Sequence, residues 1–385
     1  MPETPGDYEL RYVQGTSGAI LARRKVVVST VTAGLEADAE VPSGRALAIS
    51  WTGPANPGDY IAVADHSMVE GSRYLASNAI TGDNPLILTM PDAPGEYELR
   101  YVQGQSHTIL ARQPTTVLSA TASLEADAQI PSGRTLVVDW TGPNNQRDYI
   151  SVAEASMPES GYLAYTYVEN GNPLELNMPD APGDYELRYV QGQSNTVLAR
   201  RPVQVSPVSA RVVANAQVPA GGTVNVAWQG PANLKDYLAI VDVGATDAVA
   251  YHSQVAATGN NELQLIAPDQ PGDYTIAYVQ GQSKTILARQ PLEVTPVAAS
   301  LDYAADPVVG KELAVSWTGP ANNRDYISVA LPGSDDAAYL AYQYTKTGNP
   351  IVLTLPAAPG KYELRYVQGQ SHTAIARRAI TVGLE

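Results

Sequence analysis

Four histidines, 39 acidic residues and no cysteine are the groups from which this 385-residue chain would have to build chemistry. Without cysteine there is no disulfide scaffold and no thiolate metal site. His66, His107, His252 and His372 hold no common place: the position of His107 and His372 is taken by Asn195 and Lys284 in the corresponding stretches of the chain. H-E-x-x-H, G-x-S-x-G and a Walker-type phosphate loop are missing from the sequence. Gln-Gly-Gln-Ser does follow a strand, but it reads as a hairpin turn and not as a phosphate cradle opening a helix. The chain is therefore expected to be no enzyme, with no catalytic residue, no metal site and no cofactor.

Three other groups recur and are candidates for binding. The turns carrying Gln103, Gln191, Gln280 and Gln368, each in Tyr-Val-Gln-Gly, are the most uniform surface feature. They read either as hairpins in which Gly supplies a positive φ, or as Gln/Ser loops contacting a neighbouring domain or partner. Asp59, Asp148, Asp236 and Asp325 each precede a Tyr, and no second carboxylate stands at a fixed offset from all four. One Asp supplies at most two of the oxygens that Ca²⁺ requires, so a turn cap for backbone N–H groups is the expected role. Tyr165/Tyr167 and Tyr342/Tyr344 sit two apart, so each pair shares a sheet face. They are either packed inside or form an aromatic platform for sugar or protein.

What positions these residues is a repeat. Pro-Gly-x-Tyr ends at Tyr8, Tyr97, Tyr185, Tyr274 and Tyr362, and single tryptophans fall at Trp51, Trp140, Trp228 and Trp317, all at intervals of 88 or 89. Such a period exceeds that of solenoid units, so each copy should carry its own core. Four complete copies are expected over residues 30–118, 119–206, 207–295 and 296–385, preceded by a partial copy, 1–29, holding only the last strands of a unit. Gly383-Leu384-Glu385 echoes Gly34-Leu35-Glu36, so the chain reads as an excerpt of a longer array. The partial copy is expected to be disordered, to lie on the first domain, or to self-associate with another molecule.

Within a copy, seven or eight short apolar runs are separated by Gly-, Pro- and Asn-rich turns, and none shows a helical stripe. Tyr185-Glu186-Leu187-Arg188-Tyr189 alternates with the period of two that marks a half-buried strand. This predicts an all-β tandem array of immunoglobulin-like sandwiches, with a small closed barrel as the alternative. Tyr97, Tyr185, Tyr274 and Tyr362 fit a tyrosine corner, and the tryptophans are expected to fill the space between the sheets. Glu98/Arg100, Glu186/Arg188 and Glu363/Arg365 are expected to form an exposed charge ladder; in the third copy both change together, to Thr275 and Ala277.

Composition agrees. The net charge of −15 argues against nucleic acid and anionic membrane, which need a basic face. At 44% hydrophobic and 16% charged residues the chain is too apolar for disorder, and no apolar run reaches the length of a membrane span.

Trp-Thr-Gly-Pro-x-Asn-x-x-Asp-Tyr-Ile and Pro-Asp-x-Pro-Gly-x-Tyr-Glu-Leu-Arg-Tyr-Val-x-Gly-Gln-Ser resemble the tandem Ig-like repeats that follow von Willebrand factor type A domains in some bacterial exported or surface proteins. Asp59-Tyr60-Ile61 with Tyr97-Glu98-Leu99-Arg100-Tyr101 also resembles the more distant SKICH-type sandwich. The first resemblance covers nearly the whole chain. It implies a bacterial origin, a periplasmic, cell-surface or extracellular location, and a non-catalytic role as stalk or protein-interaction segment. The von Willebrand domain itself has no counterpart here, since Asp-x-Ser-x-Ser does not occur. The alternative is an adhesin binding carbohydrate or Ca²⁺ through the Tyr doublets or acidic loops.

Overall fold

The computed structural model describes residues 1–68 and 73–384, and all its long elements are strands. A hairpin comes first, β1 (Gly6–Val13) against β2 (Ile20–Val28). The first complete copy follows with β3 (Gly34–Glu36), β4 (Glu40–Pro42), β5 (Ala46–Thr52), β6 (Tyr60–Asp65), β7 (Ala76–Ala79), β8 (Leu86–Thr89), β9 (Gly95–Val102) and β10 (Ile109–Leu118).

These strands form two sheets, one of order β3-β5-β8 and one of order β4-β10-β9-β6-β7. Neighbouring strands run antiparallel except β4, which runs parallel to the last strand, β10. One chain segment thus crosses between sheets after β3, as in an immunoglobulin-like sandwich. The same three-plus-five pattern is built from strands between Ser123 and Ser206, and again between Arg211 and Thr295. From Ser300 to Val382 the larger sheet has four strands, and a single parallel bridge, Val308 to Gly383, stands where the short parallel strand would be. The fold is a tandem array of Ig-like β-sandwiches.

Alternation makes each core. In β5 the pattern Ala-Leu-Ala-Ile-Ser buries Leu47 and Ile49 and exposes the residues between them, which is what a sheet with one wet face requires. Central strands differ: Tyr149–Ala153 is buried throughout, so its sheet is covered on both faces. Each copy has its own cluster, such as Leu136, Val138, Ile150, Leu187 and Tyr189 in the second. The chain divides into two compact units. The first takes Met1–Ile130, Thr135–Met178 and Gly183–Val205; the second takes Ser206–Glu385 with the short segments Pro131–Arg134 and Pro179–Pro182.

Two expectations need correction here. Arg100, Arg188 and Arg365 are not exposed; they are among the most deeply buried side chains, Arg365 being 0% accessible. Period-two alternation correctly places Glu and Arg on the face away from the core, but a loop covers that face. Arg188 donates to the carbonyls of Glu154 (3.2 Å), Met157 (3.1 Å), Pro158 (2.7 Å) and Gly161 (3.2 Å), and through Nε to Glu186 (2.6 Å). Arg365 does the same for the loop from Leu331 to Ala338. The guanidinium is thus the centre of its loop, donating to carbonyls of which those of Glu154 and Pro158 also accept loop N–H groups. Joint loss in the third copy follows from this: Thr275 and Ala277 are buried, and Ala248 and Tyr237 pack there in an apolar cluster instead.

The second correction concerns the Gly of Tyr-Val-Gln-Gly. The left-handed residue of each hairpin is His107, Asn195, Lys284 or His372, with φ between 56° and 62°. Gly104, Gly192, Gly281 and Gly369 are required by close approach: a Cβ on Gly192 would stand 2.5 Å from the carbonyl carbon of Arg147.

Candidate functional site

Two sets of recurring residues meet in space. The first is a polar knot around Asp148. Its carboxylate accepts N–H bonds from Asn145 (3.0 Å) and Gly192 (2.9 Å) and the hydroxyl of Tyr189 (3.0 Å), and that hydroxyl accepts the Asn144 N–H at 3.0 Å. Asp59, Asp236 and Asp325 make the same bonds with Tyr101, Tyr278 and Tyr366. Burial raises the pKa of Asp148 and Asp325, against the hydrogen bonds, which lower it. Burial likewise raises the phenol of Tyr101 to about 12. Each of these Asp residues clamps the turn after its Trp strand to the Gln-Gly hairpin. Among the described residues no group of three or more His, Asp or Glu is placed to hold a metal ion.

The knot presents the hairpin to the copy before it. Within the first unit, Gln191 Nε2 donates to Ser43 Oγ (2.7 Å) and the Asp92 carbonyl (3.2 Å). Asn145 Nδ2 donates to the Ser43 carbonyl (2.8 Å), and the Asp92 carboxylate accepts the N–H groups of Gln193 and Ser194, both at 3.0 Å. Gly44 makes the approach possible: φ is +67°, and a Cβ there would sit 2.3 Å from Asn145 Nδ2. Within the second unit, Gln368 donates to the Asp269 carbonyl (2.9 Å), Asn322 to the Ala220 carbonyl (2.8 Å), and the Asp269 carboxylate accepts Gln370 and Ser371 N–H at 3.1 and 2.8 Å. In that unit Gln280 donates to Ser132 Oγ (2.8 Å) and Asn233 to the Ser132 carbonyl (2.7 Å).

The second set is aromatic. Tyr326 is buried, and over it Tyr339, Tyr342 and Tyr344 form a ladder with ring centroids 4.6 Å and 5.4 Å apart along its length. Tyr342 and Tyr344 are exposed, and with Arg324, Gly369 and His372 the ladder lines an open cleft of about 360 Å³. Tyr162, Tyr165 and Tyr167 repeat this over Tyr149, at 4.8 and 5.2 Å; Tyr165 is exposed and Tyr167 half-buried. Smaller clusters, Tyr60 with Tyr74 and Tyr237 with Tyr251, stand in the first and third copies.

The remaining sequence candidates are architectural in position. Tyr97, Tyr274 and Tyr362 donate to the carbonyl four residues back, at 2.9, 3.1 and 3.0 Å, and Tyr185 is buried at the corresponding place. Trp51, Trp140, Trp228 and Trp317 donate Nε1 to loop carbonyls at 2.9 to 3.1 Å and tilt against Tyr101, Tyr189, Tyr278 and Tyr366. Trp140 and Trp228 belong to the cores of their copies, Trp51 and Trp317 pack partly buried against theirs, and the four tyrosines beside them are fully buried. Sequence reasoning missed these tyrosines, together with Ser43, Asp92, Asn145 and their counterparts. The available signal was period: Asn145 recurs at 88 or 89 residues as Asn56, Asn233 and Asn322, and Asp92 as Asp180 and Asp269, whereas Ser43 recurs only as Ser132.

No family model matches the chain, and no curated protein matches it. Among solved structures it is similar to a tetra-tandem repeat from the extending region of a large adhesion protein. That match has 12% identity and a TM-score of 0.23, and covers 92% of this chain and 99% of that one. The FN1–FN3 domains of chicken CNTN1 match at 11% identity and TM-score 0.24, over 68% of this chain and 99% of that one. The Yersinia pseudotuberculosis adhesin InvE matches at 14% and 0.22, over 46% and 58%.

Proposed function

We propose that this chain is a non-catalytic spacer and interaction segment of a bacterial exported or surface protein, of the kind that accompanies von Willebrand factor type A domains. The observation that carries the reading is the joint: Gln191, Asn145 and Asp92 bond one copy to the next through buried polar groups, with no flexible linker between them. A binding array of independent modules has no need of such joints; a spacer that holds its ends apart does. The recurring Asp residues serve the same purpose, since backbone N–H groups and a phenol occupy their carboxylates.

The test is mechanical and thermodynamic coupling. Unfolding of the chain should show copies melting together, and Gln191→Ala with Asp92→Ala should separate the transitions of the first two copies. Independent melting of all copies in the unaltered chain would defeat the reading.

One observation favours a second role on the same scaffold. The exposed ladder Tyr339, Tyr342 and Tyr344 is a ready stacking surface for a sugar or protein partner. Glycan-array binding that is lost in Tyr342→Ala, with melting unchanged, would establish it.

A further inference from the structure

The β1–β2 hairpin repeats the sequence of β9–β10, yet its inner face is open. Leu10 and Tyr12 are 52% and 68% exposed, whereas Leu99 and Tyr101, which correspond to them, are 0%. The hairpin already makes half of a joint. Glu3 stands where Asp92 stands in the next copy, and its carboxylate accepts the N–H groups of Gln105 (3.2 Å) and Ser106 (2.7 Å). The other half is empty. Among the described residues Gln103 Nε2 is buried without a partner, although Gln191 and Gln280 each donate the same amide to a Ser hydroxyl and an Asp carbonyl.

Complete copies show what fills such a place. Tyr101 and the Gly104 N–H bond Asp59, and Arg201 and Arg378 bond carbonyls of the first strand in their copies, at Leu124 and Leu301. The corresponding groups of the hairpin are Tyr12, the Gly15 N–H and Arg24. A buried orphan amide destabilises the fold, and the exposed apolar face adds its own cost in water.

We infer that the inner face of the β1–β2 hairpin is a docking surface for the first six strands of an Ig-like repeat of this same type. That polypeptide brings a Ser hydroxyl to Gln103, an Asp carboxylate to Tyr12 and the Gly15 N–H, and first-strand carbonyls to Arg24. The docked segment closes a further sandwich and completes the joint at Gln103.

The probe is a polypeptide of residues 119–178, which carries Ser132, Trp140 and Asp148, added to the full chain. Hydrogen exchange of the β1 and β2 amides should slow about tenfold or more, and Leu10→Asp in the full chain should abolish the slowing. So that the result does not depend on the separate segment folding by itself, a second chain carries residues 119–178 fused ahead of Pro2. Fast exchange in both arrangements overturns the inference. Protection that grows with concentration of the unmixed chain overturns it too, assigning the face to a second copy.

Discussion

The Gln191 side-chain amide donates to Ser43 Oγ at 2.7 Å across 148 residues of sequence. Both groups are buried, and both also donate to the Asp92 carbonyl, so the three form one buried network. Gln191→Ala would leave Ser43 Oγ without its donor, at a cost of about 1–3 kcal/mol. Ser43→Ala should cost a similar amount, and the double variant no more than either alone. Urea denaturation of the four proteins in a double-mutant cycle measures this coupling. Strict additivity would show that the bond does not couple the two copies.

Gly44 makes a sharper case. Its φ of +67° disfavours a side chain, and a Cβ would meet Asn145 Nδ2 at 2.3 Å. Gly44→Ala should therefore destabilise the joint by more than the roughly 1 kcal/mol expected of a left-handed glycine alone. Gly310 has a φ of +65°, and no described residue comes within 4 Å of a Cβ built there. Gly310→Ala should show the backbone cost only, and equal losses in the two variants would mean that Asn145 yields freely.

Much of this organisation was legible in the sequence, and the reasons for the rest are physical. The 88- or 89-residue period, the alternation through Leu187 and Tyr189, and the turn-capping Asp148 follow from local pattern. Alternation assigns Arg188 to the face opposite the core, but it carries no information about the loop that folds over that face. Likewise Gln191 looks like a surface turn residue because its partner, Ser43, belongs to another copy. Gly192 was correctly singled out, but for φ rather than for the Arg147 backbone lying against it.

Arg365 gives the largest expected single loss. It is fully buried, paired with Glu363, and donates to four loop carbonyls. Arg365→Ala removes the donor shared by four loop carbonyls, leaves those of Leu331 and Asp335 with only their loop N–H and hydroxyl bonds, and leaves the Glu363 carboxylate to Arg377 alone, so a cost of about 3 kcal/mol is expected. Arg365→Lys keeps the charge but cannot fork between acceptors, and should recover only part of the loss. The loop from Leu331 to Ala338 should become protease-sensitive in both variants, which limited proteolysis checks. A loop that stays protected without the guanidinium would refute its role as the loop's core.

Asp148 sets a pH dependence opposite to that of an ordinary paired carboxylate. Burial raises its folded pKa, while hydrogen bonds from Gly192, Asn145 and Tyr189 only partly restore it. Between the unfolded carboxyl value, about 4, and the raised folded value, the folded chain holds the extra proton. Stability contributed by this group is therefore greatest below about pH 4 and falls as pH rises through the folded pKa, becoming flat above it. Asp148→Asn removes the titration and two of the acceptor bonds. The unaltered chain should remain the more stable at neutral pH, because Tyr189 and the Asn145 N–H otherwise lose their partner. Its advantage over the variant should widen as pH drops toward 4. Denaturation midpoints of both proteins across that range decide the matter: an advantage that shrinks on acidification would mean the carboxylate is stabilised by its three donors beyond the cost of burying it.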